Sequence, residues 1–115
     1  LYLPMNEIHD IGLLFTQYEI VSRGYHCIYL GPSVPIESLS SLLNYYNDIN
    51  FISYFTVKPE KDDLHDYLND FYESILKSSK NELWILGRLL EHLNRSKLPQ
   101  QIKPFSTIEN LVNRL

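Results

Sequence analysis

The sequence is poor in cysteine, in basic residues and in long apolar runs, and each shortage excludes a class of protein. A single cysteine, Cys27, excludes a disulfide framework and any zinc or iron–sulfur site built from several cysteines. No apolar run approaches the roughly 18–20 residues that a membrane-spanning helix needs. Ten Lys and Arg residues against fourteen Asp and Glu give a net charge of −4. The chain by itself is therefore a poor candidate for binding a phosphate backbone.

Two further absences bear on location and on catalysis. Nothing in the sequence resembles a signal peptide, which together with the single cysteine indicates a reducing, cytoplasmic setting. No glycine-rich phosphate-binding loop is present, and this disfavours nucleotide chemistry. The sequence also lacks the nucleophile on a sharp, glycine-flanked turn that a serine hydrolase requires. We therefore expect a protein that is not an enzyme.

What is present indicates one globular domain. The 115 residues are 44 % apolar and 21 % charged, which is ordinary for a soluble domain. The first residues, Leu1 to Pro4, read as the tail of a strand without an initiator methionine, and Leu115 closes an apolar run. We interpret residues 1–115 as a single domain of a longer protein, with its first strand truncated.

Short apolar runs alternate with apolar residues at helical spacing along the whole chain. Strands are predicted at the start of the chain and over residues 26–30, 51–57, 83–86 and 102–105. Helices are predicted to begin near residues 11, 35, 64, 89 and 108, the last behind a capping box formed by Ser106 and Glu109. Pro104 favours an edge position for the last strand.

This alternation predicts a flavodoxin-like, doubly wound α/β fold. Its five parallel strands are expected in the order 2-1-3-4-5, with helices on both faces of the sheet. Ligands of such folds bind beyond the carboxyl ends of the strands, beside strand 1. The loop after strand 1 is therefore the place to look for a site.

That loop contains Glu7, His9 and Gly12. A carboxylate near a histidine can hydrogen-bond one ring nitrogen, fix the tautomer and make the other nitrogen a better metal ligand. A glycine at the start of a helix allows close approach to the backbone. Each residue also has an ordinary interpretation. His9 can be a plain loop histidine, Glu7 a helix-start carboxylate, and Gly12 a point of close helix–strand packing.

Glu7-x-His9-x-x-Gly12 resembles the cobalamin-binding signature Asp-x-His-x-x-Gly, in the variant with Glu first. That variant is common in MerR-type transcription regulators with a C-terminal B12-binding domain. A second stretch, from Tyr29 to Pro35, is similar to the Tyr-Leu-Gly-x-x-x-Pro turn of the same family. The two stretches lie at the usual separation of the family, and the order of strands and helices agrees along nearly the whole chain.

The resemblance implies a cobalamin cofactor, with His9 as lower axial ligand of its cobalt. Glu7 would hold the histidine and Gly12 would leave room for the corrin, while the nucleotide tail enters the side of the sheet. The resemblance also implies a sensor domain that forms homo-oligomers and has no membrane contact. DNA contacts in such regulators come from an N-terminal helix-turn-helix domain outside this sequence.

The sequence departs from the family on the side of the nucleotide tail. The Ser-x-Leu motif after strand 3 is represented by Ser53 or by Thr56, and the register leaves both open. The family's adjacent glycine pair after strand 4 is reduced to Gly87, between Leu86 and Arg88. Two alternatives therefore stand beside a cobalamin sensor. One is a related domain without the cofactor that acts as a dimerisation or other-ligand module, and the other is the corrinoid-carrying subunit of a methyltransferase or mutase.

Two isolated features have plainer interpretations. Cys27 lies inside a predicted strand and is expected to be a small core residue, since nothing basic flanks it. Asp62, His65 and Asp66 share one helical face, which we interpret as solvated because further metal ligands are lacking.

Overall fold

The computed structural model describes all 115 residues and contains one five-stranded, all-parallel sheet. The strand order is β2-β1-β3-β4-β5, as the sequence predicts. The strands are β1 (Tyr2–Pro4), β2 (Gly31–Val34), β3 (Asn50–Tyr54), β4 (Glu82–Leu86) and β5 (Ile102–Pro104). The α-helices are α1 (Ile11–Ser22), α2 (Ile36–Ser40), α3 (Leu64–Phe71) and α4 (Ile108–Val112). Pro104 ends the edge strand β5, where its missing N–H breaks no ladder.

Helices cover both faces of the sheet, so this prediction is also confirmed. Successive residues of β4 alternate between two apolar clusters, Leu83 and Ile85 facing one side and Trp84 and Leu86 the other. The cluster under α2 and α3 has 14 buried residues, whereas the one under α1 and α4 has only six. Cys27 packs half-buried against the smaller cluster, as expected for a small core residue.

The prediction of strand 2 over residues 26–30 is wrong by about five residues, because β2 begins at Gly31. Of the residues at the start of the chain, only Leu1 lies alongside residues 26–30. Its amino group donates to the Ile28 carbonyl, and its carbonyl accepts from the Leu30 N–H. The regular ladder with β1 starts at the pairing of Tyr2 with Gly31. β2 therefore forms only where the residues of β1 are available to pair with it.

Several helices are shorter than the apolar spacing predicts, or are 3-10 helices where an α-helix is predicted. The helix predicted from Leu89 is instead a 3-10 helix, Arg88–His92, and the N–H of Leu89 in its first turn donates to the Phe55 carbonyl at 3.1 Å. The remaining short turns are 3-10 helices at Ser41–Asn44, Lys61–Asp63 and Arg95–Lys97, and a π-helical turn at Tyr72–Leu76. None of the helices is both long and apolar enough to cross a membrane.

The predicted capping box at the last helix is displaced by one residue. Thr107, not Ser106, is the N-cap of α4, and its hydroxyl accepts from the Asn110 N–H at 3.0 Å. The Ser106 hydroxyl instead accepts from the side-chain amide of Asn110. A Ser-Thr pair offers two candidate caps, and spacing alone does not choose between them.

Candidate functional site

A tight turn after β1 directs the Glu7 side chain into the carboxyl edge of the sheet. The Glu7 N–H donates to the Pro4 carbonyl at 2.9 Å, and Asn6 has a φ of 69°, a left-handed conformation that asparagine tolerates. Strand β2 holds this turn from the side. The Ser33 hydroxyl accepts from the Asn6 N–H at 3.0 Å, and the Ser33 N–H donates to the Glu7 carbonyl at 3.2 Å.

The Glu7 carboxylate is 1 % exposed and accepts six hydrogen bonds. Its Oε1 accepts from the N–H groups of Thr56, Val57 and Lys58, at 3.1, 2.6 and 3.0 Å. Its Oε2 accepts from the N–H groups of Ile8 and His9 and from the His9 ring. One side chain thus ties the loop after β1 to the loop after β3. It also explains why β3 ends at Tyr54 and not at Val57, since the backbone donors of residues 56–58 turn toward this carboxylate.

These donors keep Glu7 ionised although it is buried. Burial by itself raises the pKa of a carboxyl group, but the N–H groups of Val57 and Lys58 and the His9 ring and backbone outweigh it. The pKa of Glu7 is accordingly lowered from 4.5 to about 2. A buried negative charge is therefore fixed at the centre of the loop cluster.

His9 is oriented by this charge and open to its surroundings. Its Nδ1 lies 2.8 Å from Glu7 Oε2, while its side chain is 58 % exposed. An ionised carboxylate only accepts hydrogen bonds, so Nδ1 carries the hydrogen. In the neutral ring the lone pair is then on Nε2, which makes no hydrogen bond within the chain. The arrangement is that of a histidine prepared to ligate a metal through Nε2.

Exposed apolar side chains accompany His9 in the two loops that Glu7 joins. Met5, Ile8 and Val57 lie in these loops, Ile11 is the first residue of α1, and all four are exposed. Asp10 and Lys58 carry charge in the same segments. A partly apolar surface of this kind suits a large ligand that has both apolar and polar groups.

Gly12 lies in the first turn of α1, and the space above its Cα is filled by the Tyr54 side chain. A Cβ at this position would lie 2.7 Å from Tyr54 Cζ, which is closer than carbon atoms pack. Close helix–strand packing, the plainer of the two sequence interpretations, therefore accounts for this glycine. The Thr16 hydroxyl donates to the Gly12 carbonyl at 2.7 Å and fixes the same turn.

The other predicted site residues lie near the ends of β3 and β4, at different distances from the Glu7–His9 pair, here called the dyad. Thr56 reaches Glu7 through its backbone N–H. Ser53 is fully buried and donates to the Tyr2 carbonyl at 2.8 Å, inside the sheet, so it does not touch the dyad. Gly87 has a φ of 115°, and a Cβ there would lie 2.2 Å from the Phe55 carbonyl oxygen. The structure thus gathers Glu7, His9 and Thr56 at one point and leaves Ser53 and Gly87 in packing roles.

Sequence reasoning missed the strongest partners of Glu7, the backbone N–H groups of Val57 and Lys58. The family motif predicts a side-chain hydroxyl near the end of strand 3. A backbone N–H is present in every residue type except proline, so its role as a donor cannot be recognised from the sequence. The one available signal was position, since these residues follow a strand that was expected beside strand 1.

No group of three or more His, Cys, Asp or Glu side chains is placed to hold a metal ion. On the helix face expected to be solvated, His65 Nε2 accepts from the Asn94 N–H at 3.1 Å, so this histidine has a structural partner. A cavity of about 350 Å³ lies at the amino ends of the strands, among residues such as Leu1, Cys27 and Asn50. It does not touch Glu7 or His9.

No family model matches this chain, and no curated protein matches it.

Proposed function

We propose that this chain is a corrinoid-binding sensor domain of a MerR-type transcription regulator, with His9 as the lower axial ligand of cobalt. The observation that carries the proposal is the Glu7–His9 pair. A buried, ionised carboxylate holds Nδ1 of an exposed imidazole and leaves Nε2 available. The proposal assigns the chain a cytoplasmic, regulatory role without catalysis.

The number of ligands supports a macrocycle-bound metal over a free ion. A zinc or other free ion needs three or more protein ligands, and only one histidine is offered at this edge. One histidine suffices when a planar macrocycle already holds the metal, because only an axial position then has to be filled. The exposed apolar side chains of Met5, Ile8 and Val57, in the two loops that Glu7 joins, suit the face of such a macrocycle.

The roles of the residues follow from their contacts. Bound cobalamin would supply a cobalt centre whose upper ligand can be exchanged. His9 Nε2 would hold the cobalt, and Glu7 would keep the imidazole oriented. The signal would pass to oligomerisation and to DNA binding by a helix-turn-helix domain outside this sequence. A ligand changes such an equilibrium only by binding one of the two states more tightly.

The experiment is an absorption spectrum of purified protein after dark incubation with hydroxocobalamin or adenosylcobalamin, followed by desalting. We expect retained colour and a spectral shift that His9→Ala abolishes. His26→Ala is the matched control, since His26 is also exposed but lies at the opposite edge of the sheet. Cobinamide, which lacks the nucleotide tail, is tested in parallel. A wild type that loses both cobalamin and cobinamide on desalting overturns the proposal.

One observation favours a second candidate, a related domain that binds no cofactor and acts through protein contacts. The space that Gly12 would leave for the corrin is taken by the Tyr54 ring, and the space that Gly87 would leave for the nucleotide tail is taken by the Phe55 backbone. His9 thus offers a ligand atom, whereas both spaces expected for the cofactor are filled. Retention of cobinamide but not of cobalamin would assign this obstruction to the tail. Retention of neither, with a folded protein, would favour the second candidate.

A further inference from the structure

Helix α1 has two apolar faces, of which the sheet covers only one. Its buried residues are Leu13, Thr16 and Ile20. At about 100° per residue, the large apolar side chains on the opposite side span an arc of roughly 120°. They are Ile11, Leu14, Phe15, Tyr18 and Val21. A stripe of that width is typical of a helix face that packs against another element, yet here it faces outward.

The outward face of α1 is large enough for a protein interface. Its five side chains are between 45 % and 84 % exposed. At about 200 Å² for a large side chain, they present on the order of 600 Å² of surface, the upper end for a patch on a monomer. Pairing two copies of this face would bury on the order of 1,200 Å² in total, the lower end for a specific interface.

Charge does not oppose a second copy of the chain as the partner at this face. The domain carries a net charge of −4, so two copies repel each other over most of their surface. In α1 the only charged residue is Glu19, which is paired with Arg23 at 2.6 Å. The outward face is thus a nearly uncharged part of an acidic molecule, and self-association there brings few like charges together.

We propose that this chain forms a homodimer through the outward face of α1. A two-fold axis near the middle of the helix would pair α1 with its copy, so that each side chain enters the interface twice. This proposal does not rest on corrinoid binding, because the paired face lies on α1 and includes neither the Glu7–His9 pair nor Met5, Ile8 and Val57.

The test is the molar mass in solution over a wide range of protein concentrations, by sedimentation or light scattering. We expect twice 13.6 kDa for the wild type. Phe15→Glu should raise the dimer dissociation constant about 100-fold or more, because two charges enter an apolar interface. Tyr45→Glu is the matched control, since Tyr45 is a 79 % exposed aromatic residue outside α1, and it should leave the mass unchanged.

Each result decides for or against the dimer. A wild type that stays at 13.6 kDa at every concentration overturns the proposal. So does a wild-type dimer that Phe15→Glu and the milder Tyr18→Ser leave intact. Far-UV circular dichroism of each variant separates loss of the dimer from loss of the fold. His9→Ala should remain dimeric whether or not it binds a corrinoid, so the two proposals fail independently.

Discussion

Glu7 Oε2 lies 2.8 Å from His9 Nδ1, and the same carboxylate accepts five backbone hydrogen bonds. The residue that orients the imidazole is thus also the residue that joins the loops after β1 and β3. A change at Glu7 therefore affects the stability of the fold before it affects any ligand. A change at His9 removes an exposed side chain and one of the six hydrogen bonds to Glu7.

Glu7→Gln is expected to lower the free energy of unfolding by about 3 kcal/mol or more, because buried donors would lose a charged acceptor. The amide has one oxygen, and its NH₂ group would face backbone N–H groups that need an acceptor. Urea unfolding followed by circular dichroism measures the loss. His9→Ala is the control, with a change below about 1 kcal/mol at an exposed position. Equal losses in the two variants would contradict the anchoring role of Glu7.

Stability should fall as the pH falls from about 4.5 to about 2. The pKa of Glu7 is about 2 in the folded chain and 4.5 ordinarily, so the folded state favours the ionised form. This contribution, about 3 kcal/mol, is fully present above pH 4.5 and is lost as the pH approaches 2. Urea midpoints measured across this window test it, and Glu7→Gln should flatten the profile.

Glu82 needs its own control in that experiment. Hydrogen bonds from Lys103 and Trp84 lower its pKa too, so it contributes a slope of the same sign. Glu82→Gln should remove only this smaller part, because its charge is partly exposed and screened by solvent. If Glu82→Gln flattens the pH profile more than Glu7→Gln does, the pH dependence originates mainly at Glu82 and the prediction for Glu7 is wrong.

Gly87→Ala is expected to cost more than about 3 kcal/mol. Its Cβ would lie 2.2 Å from the Phe55 carbonyl oxygen, and its φ of 115° already disfavours a side chain. Gly24→Ala is the matched control, since Gly24 also has a positive φ, 87°, but nothing lies within 4 Å of the added Cβ. Its cost should stay near 1 kcal/mol. Equal thermal midpoints for the two variants would contradict the steric argument.

The fold was predictable because its signals are periodic and local. Alternating apolar runs define five strands, and short crossovers leave few parallel topologies, so the order β2-β1-β3-β4-β5 follows. The position of β2 was not predictable in this way. Residues 26–30 have strand composition, but only Leu1 lies beside them, and pairing partners do not appear in a local pattern.

The site was predictable in part. The spacing of Glu7 and His9 within one loop made their contact foreseeable, since residues two apart in a turn can share a hydrogen bond. The donors from Val57 and Lys58 were not, because any residue type supplies a backbone N–H. The roles of Gly12 and Gly87 depend on Tyr54 and Phe55, which are distant in sequence.

Gly12 and Tyr54 are expected to be energetically coupled. In the wild type, Gly12→Ala places a Cβ 2.7 Å from Tyr54 Cζ, so the ring must move, at a net cost of about 1 kcal/mol. The cost stays below that of Gly87→Ala because a half-buried ring can rotate, whereas backbone cannot. In a Tyr54→Ala background the clash is gone, and the better helix propensity of alanine should make Gly12→Ala stabilising by about 1 kcal/mol. A double-mutant cycle from urea unfolding measures this reversal of sign, and additive effects would show that the two residues do not compete for the same space.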